Sequence, residues 1–149
     1  MGEFVENDNK AVICRWFEEV FNQGREEVID EIVSADYIDY GHNPPGRGPE
    51  GARQDFRDFF AAFSDVHYTI DDLLADGDKV AARWTGHFTH SGDNFSHGGE
   101  MAGVPATGKR VTLTGISVYR LANGQIVSTH LAGDMLGFMQ QIGALPSLT

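Results

Sequence analysis

Apolar residues near the amino terminus repeat at the spacing of one face of a helix. The repeat starts after Asn9 and stops before the turn residues Asn22, Gln23 and Gly24, which predicts a helix between them. A shorter repeat predicts a second helix over Glu26 to Ser34. The apolar face of the first helix is formed by Val12, Ile13, Trp16, Phe17, Val20 and Phe21.

A third helix is predicted to begin at Pro49, because proline suits the first turn of a helix. Its apolar side is an aromatic stripe at helical spacing. Such a stripe packs in a core more often than it contacts a ligand. The stripe consists of Phe56, Phe59, Phe60 and Phe63.

The remainder of the chain consists mainly of long extended segments joined by short turns. A brief strand is expected over Tyr37 to Tyr40, and the glycine-rich stretch 91–108 is the only long irregular segment. Helices that precede long strands predict one segregated α+β domain over residues 1–149, with helices covering one face of a bent sheet. Asp-Gly and Asn-Gly turns predict two antiparallel hairpins, which pair 66–75 with 79–90 and 111–121 with 125–134.

Composition limits the class of protein. A hydrophobic fraction of 41% in 149 residues suffices for one packed domain and is too high for a disordered chain. The net charge of -11 repels phosphate backbones and anionic lipids, so nucleic acid and membrane surfaces are poor partners. No apolar run approaches the ~20 residues that cross a bilayer, and the first eight residues lack a signal-peptide pattern. We therefore expect a cytoplasmic protein, and the single cysteine, Cys14, agrees with a reducing compartment.

The last predicted strand carries an acid, Asp134, to the start of an apolar helix at Met135. Because side chains alternate along a strand, His130 and Asp134 should share one face, with the small Ser128 and Ala132 leaving room beside them. This pattern predicts a pocket wall in which burial makes a carboxylate more basic. The same position suits an aspartate that caps a helix, so residue type alone leaves capping and catalysis open.

Histidines give further candidates. His90 shares a predicted strand face with Trp84 and Phe88 and is expected to face inward. His42 follows the short strand, where it could line a pocket or bind local backbone. His87 and His90 are three residues apart on one strand and should point to opposite faces, which argues against a metal site.

One motif is a false match. The segment Gly103 to Lys109 has the spacing of a phosphate-binding loop, but Arg110 stands where a metal-binding Ser or Thr is required. A β-branched sequence follows it, whereas a phosphate-binding loop leads into a helix. Since no nucleophile motif or dinucleotide fingerprint is present, proton transfer by Asp134 with help from a histidine is the simplest chemistry left. We predict no cofactor and no metal.

Four segments, taken together and in this order, resemble the SnoaL-like polyketide cyclases of the nuclear transport factor two superfamily. The resemblance implies a cone-shaped α+β barrel, in which a curved antiparallel sheet and the N-terminal helices enclose an apolar cavity. It also implies a homodimer packed through the sheet. The segments are Gly41 to Gly51, Thr89 to Gly92, Met101 to Arg110 and Asp134 to Gly143.

The resemblance further implies a function. Enzymes of this family close the last ring of an aromatic polyketide ester by a cofactor-free aldol condensation, and the matching motif assigns the acid/base role to Asp134. We expect His130 or His90 to assist it as proton donors. Alternatives are an isomerase, a water-adding or epoxide-opening enzyme, or a non-catalytic protein that binds small apolar ligands. Expected substrate contacts are Phe21, His42, Phe59, Trp84 and Phe88.

Overall fold

The structure, a computed structural model, describes residues 2–92 and 105–146. The central part of the predicted irregular stretch, residues 93–104, lies outside the described residues, and with it the start of the third family-like segment. Among the described residues, none of the helices is long and apolar enough to span a membrane.

The predicted N-terminal helix is confirmed, although it begins at Gly2, earlier than the apolar repeat indicated; it ends before Gly24, which adopts a φ of 67°. Its last part winds as a π-helix, a widened turn that often occurs at functional sites. The second predicted helix is shorter than expected, because the chain becomes extended at Val33. The helices are α1 (Gly2–Arg15) with its π-helical continuation (Trp16–Asn22), a 3₁₀ turn (Glu26–Val28), α2 (Ile29–Ile32), α3 (Gly48–Ala62) and α4 (Met135–Gln141).

Six strands form one sheet in the order β2-β1-β6-β5-β4-β3. Both predicted hairpins are confirmed, and their turns place Gly77, Asn123 and Gly124 at positive φ. The sheet is mixed rather than antiparallel throughout, because β1 pairs in parallel with β6. The strands are β1 (Val33–Asp39), β2 (Gly46–Arg47), β3 (Phe63–Asp76), β4 (Lys79–His90), β5 (Arg110–Ala122) and β6 (Gln125–Gly133).

The helices and the inner face of the curved sheet enclose two apolar clusters. One cluster packs α1 and α2 on the sheet through residues such as Ile13, Ile29 and Ile126. The other joins α3 and α4 to the sheet and includes Phe59 and Phe138. Burial of such side chains supplies the main favourable free energy of folding. Both clusters contribute walls to the cavity described next.

Candidate active site

A cavity of about 660 Å³ lies between the helices and the inner face of the sheet. Its volume falls within the usual range of small-molecule sites, about 300–1,000 Å³. The π-helical turn places Trp16, Phe17 and Phe21 in its wall. All five residues predicted to contact substrate line the cavity, namely Phe21, His42, Phe59, Trp84 and Phe88. That they contact a substrate stays a prediction.

A cluster of two carboxylates and one imidazole interrupts this aromatic wall. Asp39, at the end of β1, and Asp55, on α3, both approach His42 in the loop after β1. The His42 Nε2 atom lies 3.4 Å from Asp39 Oδ2 and 3.2 Å from Asp55 Oδ2. The backbone N–H of Gly41 donates to Asp39 Oδ1 at 2.7 Å. Asp39, His42 and Asp55 are called the acid–imidazole cluster below.

The surroundings of this cluster raise the pKa values of Asp39 and His42, for different reasons. The Asp39 side chain is 13% exposed, and burial raises the pKa of its carboxyl to about 6, against the opposing hydrogen bond from Gly41. The pKa of His42 is raised from its usual value, chiefly by its hydrogen bond to Asp55. A carboxyl with a pKa of about 6 can both accept and return a proton near neutral pH.

Hydroxyl groups lie beside the cluster on the same wall. The hydroxyl of Tyr37 is 3.1 Å from Thr129 Oγ1, and both side chains are buried. The indole N–H of Trp84 donates to Ser117 Oγ at 3.0 Å. These groups satisfy part of the hydrogen-bonding capacity of a wall that is otherwise apolar.

Asp134 occupies a different environment from the one its sequence context predicted. Strand β6 ends at Gly133, so the alternation of strand side chains does not extend to Asp134. Its carboxylate Oδ1 accepts the backbone N–H of Gly137 at 3.0 Å and caps α4. The residue is exposed, and its neighbour Met135 lines the cavity. The expectation that Asp134 is buried in an apolar wall is therefore wrong; its catalytic role stays a prediction.

The placement of His130 inside the pocket is also wrong. Its imidazole stacks on the ring of Tyr40, with ring centroids 4.6 Å apart, in a shallow depression on the outer face of the sheet. Its neighbour on β6, Thr129, lines the cavity instead. The alternation assumed from Ile126 is broken by a bulge at Val127, so Ile126 is buried in the core whereas Ser128 and His130 both line the outer depression.

His90 faces inward as predicted and is fully buried. It packs near the ring of Phe63, and its Nδ1 atom lies 3.1 Å from the Thr107 hydroxyl. Burial lowers its pKa, so the neutral imidazole is favoured. His90 is not among the described residues that line the cavity. Its role as a proton donor to substrate stays a prediction.

The acid–imidazole cluster offers one nitrogen and two oxygen ligands, all within 4.8 Å of one another, and so could hold a cation. An N–H at His42 Nε2 can instead donate to both carboxylates, so the arrangement is also explained without a metal. The predicted divergence of His87 and His90 is confirmed, since His87 contacts Thr112 on the other face of β4. The absence of a bound metal stays a prediction.

Sequence reasoning missed Asp39 and Asp55, although each lies in a recognisable pattern. Tyr37 and Asp39 are two residues apart on a strand, so a tyrosine that packs inward brings the acid with it. Asp55 lies three residues after the buried Ala52 and four before Phe59, on the inner side of α3. A carboxylate on a helix face that is otherwise apolar was the signal that could have identified it.

The sequence matches a known protein family over most of its length. The model of the SnoaL-like polyketide cyclase family matches residues 11–142. The chain belongs to this family. The resemblance drawn from the four sequence segments is thereby confirmed.

Relatives within the family are similar over most of their length. Aklanonic acid methyl ester cyclase DnrD of Streptomyces peucetius is 28% identical over 135 residues, covering 88% of this chain and 88% of the relative. DauD of Streptomyces sp. (strain C5), with the same enzyme name, is 28% identical over 135 residues, covering 88% and 80%. The solved structure of TsrD from Streptomyces laurentii has a TM-score of 0.80 and 26% identity, covering 93% of this chain and 97% of that one. The expected α+β fold of the family is thus confirmed.

Proposed function

We propose that this SnoaL-like protein closes a ring in a hydrophobic polyketide-type ester by a cofactor-independent aldol reaction, with Asp39 as the acid/base residue. The carrying observation is an Asp39 carboxyl in an aromatic cavity with a pKa of about 6. A general base is most effective when its pKa lies near the operating pH. The enzyme name of the two relatives, aklanonic acid methyl ester cyclase, supports an ester as the substrate.

The reaction needs one group that takes a proton and later returns it. The Asp39 carboxylate removes a proton from a carbon flanked by two carbonyls, and the bonding electrons move to a carbonyl oxygen as an enolate. The enolate carbon then attacks a second carbonyl in the same molecule, which forms the new C–C bond and an alkoxide. The protonated Asp39 returns its proton to that alkoxide. No atom is gained or lost, so no external oxidant, reductant or water is required.

His42 and Asp55 control the position and the basicity of the Asp39 carboxylate. Both carboxylates approach the same imidazole nitrogen, Nε2, and its N–H can hold the Asp39 carboxylate in position while it is ionised. Asp55, on helix α3, fixes the position of that nitrogen through its own contact at 3.2 Å. Burial in the aromatic wall and the Asp55 charge keep Asp39 basic enough to act.

Two aspartates compete for the acid/base role. The family resemblance assigns the role to Asp134, which is exposed and caps α4. Contacts inside the cavity favour Asp39, because only a desolvated carboxylate gains the basicity that abstraction of a carbon-bound proton needs. Phe21, Phe59, Trp84 and Phe88 are proposed to hold the flat substrate against the cluster.

The test is an assay of the purified protein with aklanonic acid methyl ester in deuterated water. The ring-closed product is an isomer of the substrate, so chromatography separates the two. Its mass differs from that of the substrate only by the deuterium incorporated. The Asp39→Asn variant should slow ring closure by about 10²–10⁴-fold. Deuterium uptake without ring closure would replace the cyclase with an isomerase that shares the first step. Binding without exchange or closure would leave a ligand-binding protein.

The predicted homodimer remains part of the proposal. The outer face of β5 exposes Ile116 and Val118, which are 51% and 39% accessible, beside the His130 and Tyr40 stack. A second copy packed on this face would cover them, which supports the predicted packing through the sheet. Light scattering of the wild type should give the mass of a dimer, and Val118→Lys should reduce it to that of a monomer. A cytoplasmic location is proposed likewise.

A further inference from the structure

Four hydrogen-bonding side chains meet in the cavity wall, apart from the acid–imidazole cluster. The Trp84 indole donates to Ser117, as described above, and the Tyr119 oxygen receives support from Ser117 and from the indole of Trp16. Trp84, Ser117 and Tyr119 are at most 3% exposed, yet all line the cavity. The four side chains are called the indole–hydroxyl group below.

The position of the Trp84 indole is fixed by the opposite strand. Gly115 on β5 pairs with Trp84 on β4. A Cβ atom at Gly115 would lie 2.4 Å from Cζ2 of the indole, so only glycine leaves space for the ring. The tryptophan is thereby held over β5 with its N–H directed at Ser117.

The indole–hydroxyl group contains one more hydrogen-bond donor than its own acceptors use. Each indole nitrogen can only donate, so Trp16 and Trp84 must give their protons to the hydroxyl oxygens. Ser117 and Tyr119 hold two hydroxyl protons, and a bond between them uses one. Among residues 2–92 and 105–146, the structure gives the second hydroxyl proton no further acceptor. In a buried wall, that proton is directed to whatever polar atom enters the cavity.

Tyr119 is the member that carries this free proton. Ser117 already accepts from Trp84 and can pass its own proton to the Tyr119 oxygen, which leaves the phenol proton for the cavity that Tyr119 lines. Burial raises the pKa of Tyr119 above its usual value. The phenol therefore stays protonated at neutral pH and serves as a donor, not as a base.

Sheet register places this donor in line with Asp39. Asp39 on β1 pairs with Thr129 on β6, and Thr129 pairs with Tyr119 on β5. At about 4.8 Å per strand, the backbones of Asp39 and Tyr119 are separated by about 10 Å across the sheet. Both side chains line the same cavity, so a carbonyl compound bound there can contact both of them.

We propose that Tyr119 donates a hydrogen bond to the substrate oxygen that becomes an enolate, with Ser117, Trp16 and Trp84 as supporting donors. As Asp39 removes the proton from carbon, negative charge develops on this oxygen. A donor already in place stabilises the charge without reorganisation. The reaction step rests on the proposed function, but recognition of an enolate-like oxygen does not.

The test uses binding, so that it does not depend on turnover. The probes are 2-naphthol, a planar enol whose oxygen ionises at alkaline pH, and naphthalene, which has the same shape without the oxygen. Dissociation constants are measured by fluorescence at pH 9.5 for the wild type, Tyr119→Phe, Ser117→Ala and the double variant. The ratio of the two constants isolates the hydrogen bond from the apolar contacts.

The wild type should prefer 2-naphthol, and Tyr119→Phe should lower that preference by about tenfold or more, as expected for a hydrogen bond to a charged oxygen. Ser117→Ala should lower it less, because Tyr119 keeps its own proton, and the double variant should lower it most. Naphthalene affinity should change little in all variants. The proposal would be overturned if the wild type showed no preference for 2-naphthol. It would also be overturned if both single variants kept the full preference of the wild type.

Two controls separate this result from others. Ser117→Ala removes one oxygen from a packed wall, so it provides an answer if Tyr119→Phe does not fold. The Asp39→Asn variant should keep the preference for 2-naphthol. If the wild type binds 2-naphthol preferentially but closes no ring, the proposed function fails and the donor assignment stands. If the wild type closes the ring but shows no preference for 2-naphthol, the proposed function stands and the donor assignment fails.

Discussion

Asp39 and Asp134 are the same residue type at the carboxyl ends of neighbouring strands, yet their surroundings are opposite. Asp39 ends β1 inside an aromatic cavity, with a side chain that is 13% exposed and near a second carboxylate, Asp55. Asp134 follows β6 at the surface and accepts the N–H of Gly137. One carboxylate is held where its charge is costly, and the other where its charge is favourable.

The contrast separates a chemical role from a structural one. Desolvation destabilises the ionised form of Asp39, and a protein retains such a group where the raised basicity is used. A carboxylate at a helix N-terminus satisfies a free backbone N–H and interacts well with the helix dipole. Sequence motif alone does not distinguish the two, because both positions read as an acid after a strand.

The largest expected effect is on turnover. Asp39→Asn keeps the shape of the side chain but removes its basicity, so kcat should fall by about 10²–10⁴-fold, the usual contribution of an acid/base group. Asp134→Asn is the matched control, and it should change kcat by less than about threefold because asparagine caps a helix nearly as well. Both are measured on aklanonic acid methyl ester. The opposite ranking would return the acid/base role to Asp134.

The dependence on pH should show the same contrast at smaller amplitude. Asp39 must be ionised to act, and its raised pKa places the acid limb of kcat/KM at about 6. Below that limb, activity should fall about tenfold per pH unit. The limb reports Asp39, whose carboxyl is influenced by the charges of His42 and Asp55. The charge of Asp58 in turn raises the pKa of His42. Asp55→Asn should shift it to lower pH, whereas Asp134→Asn should leave it in place.

Stability should respond in opposite directions at the two aspartates. Asp134→Ala removes a helix cap and should lower the free energy of unfolding by about 0.5–2 kcal/mol. Asp39 has a folded pKa above its unfolded value, so folding is favoured more by its protonated form, and stability falls as pH rises from about 4 to 6. Asp39→Asn should therefore raise stability above pH 6 and have little effect below pH 4. Urea denaturation at pH 8 and pH 4 measures both effects. A lower free energy of unfolding for Asp39→Asn at pH 8 would contradict the view that the ionised Asp39 destabilises the fold.

Local sequence predicted the elements well and the site only in part. The apolar repeat of α1 and the Asn-Gly turn before β6 are short-range signals, and both were read correctly. The parallel pairing of β1 with β6 joins segments about 90 residues apart, so no local pattern reports it. His130 was placed on the wrong face because a bulge between Ile126 and Ser128 shifts the register of β6 and breaks the alternation counted from the buried Ile126.

The acid–imidazole cluster shows why the rest was missed. Asp39, His42 and Asp55 come from a strand, a loop and a helix, and each alone resembles an ordinary polar residue of its element. Only the packing of α3 against β1 brings both carboxylates within 3.4 Å of His42 Nε2. In contrast, the aromatic cavity residues were predicted because their burial follows from helical and strand periodicity.

The smallest expected effect comes from removing metal. The three cluster side chains could bind a cation, but a protonated His42 Nε2 already donates to both carboxylates, and Asp39 must stay free to accept a proton. Dialysis against EDTA should therefore leave kcat within about twofold of the untreated protein, since acid/base catalysis draws on the protein's own groups. Added Zn²⁺ should inhibit, because a ligated carboxylate cannot act as a base. His42→Ala removes the one nitrogen ligand, so inhibition by Zn²⁺ should weaken in that variant. Activity that is lost on dialysis and restored by a divalent cation would instead make the cluster a metal site.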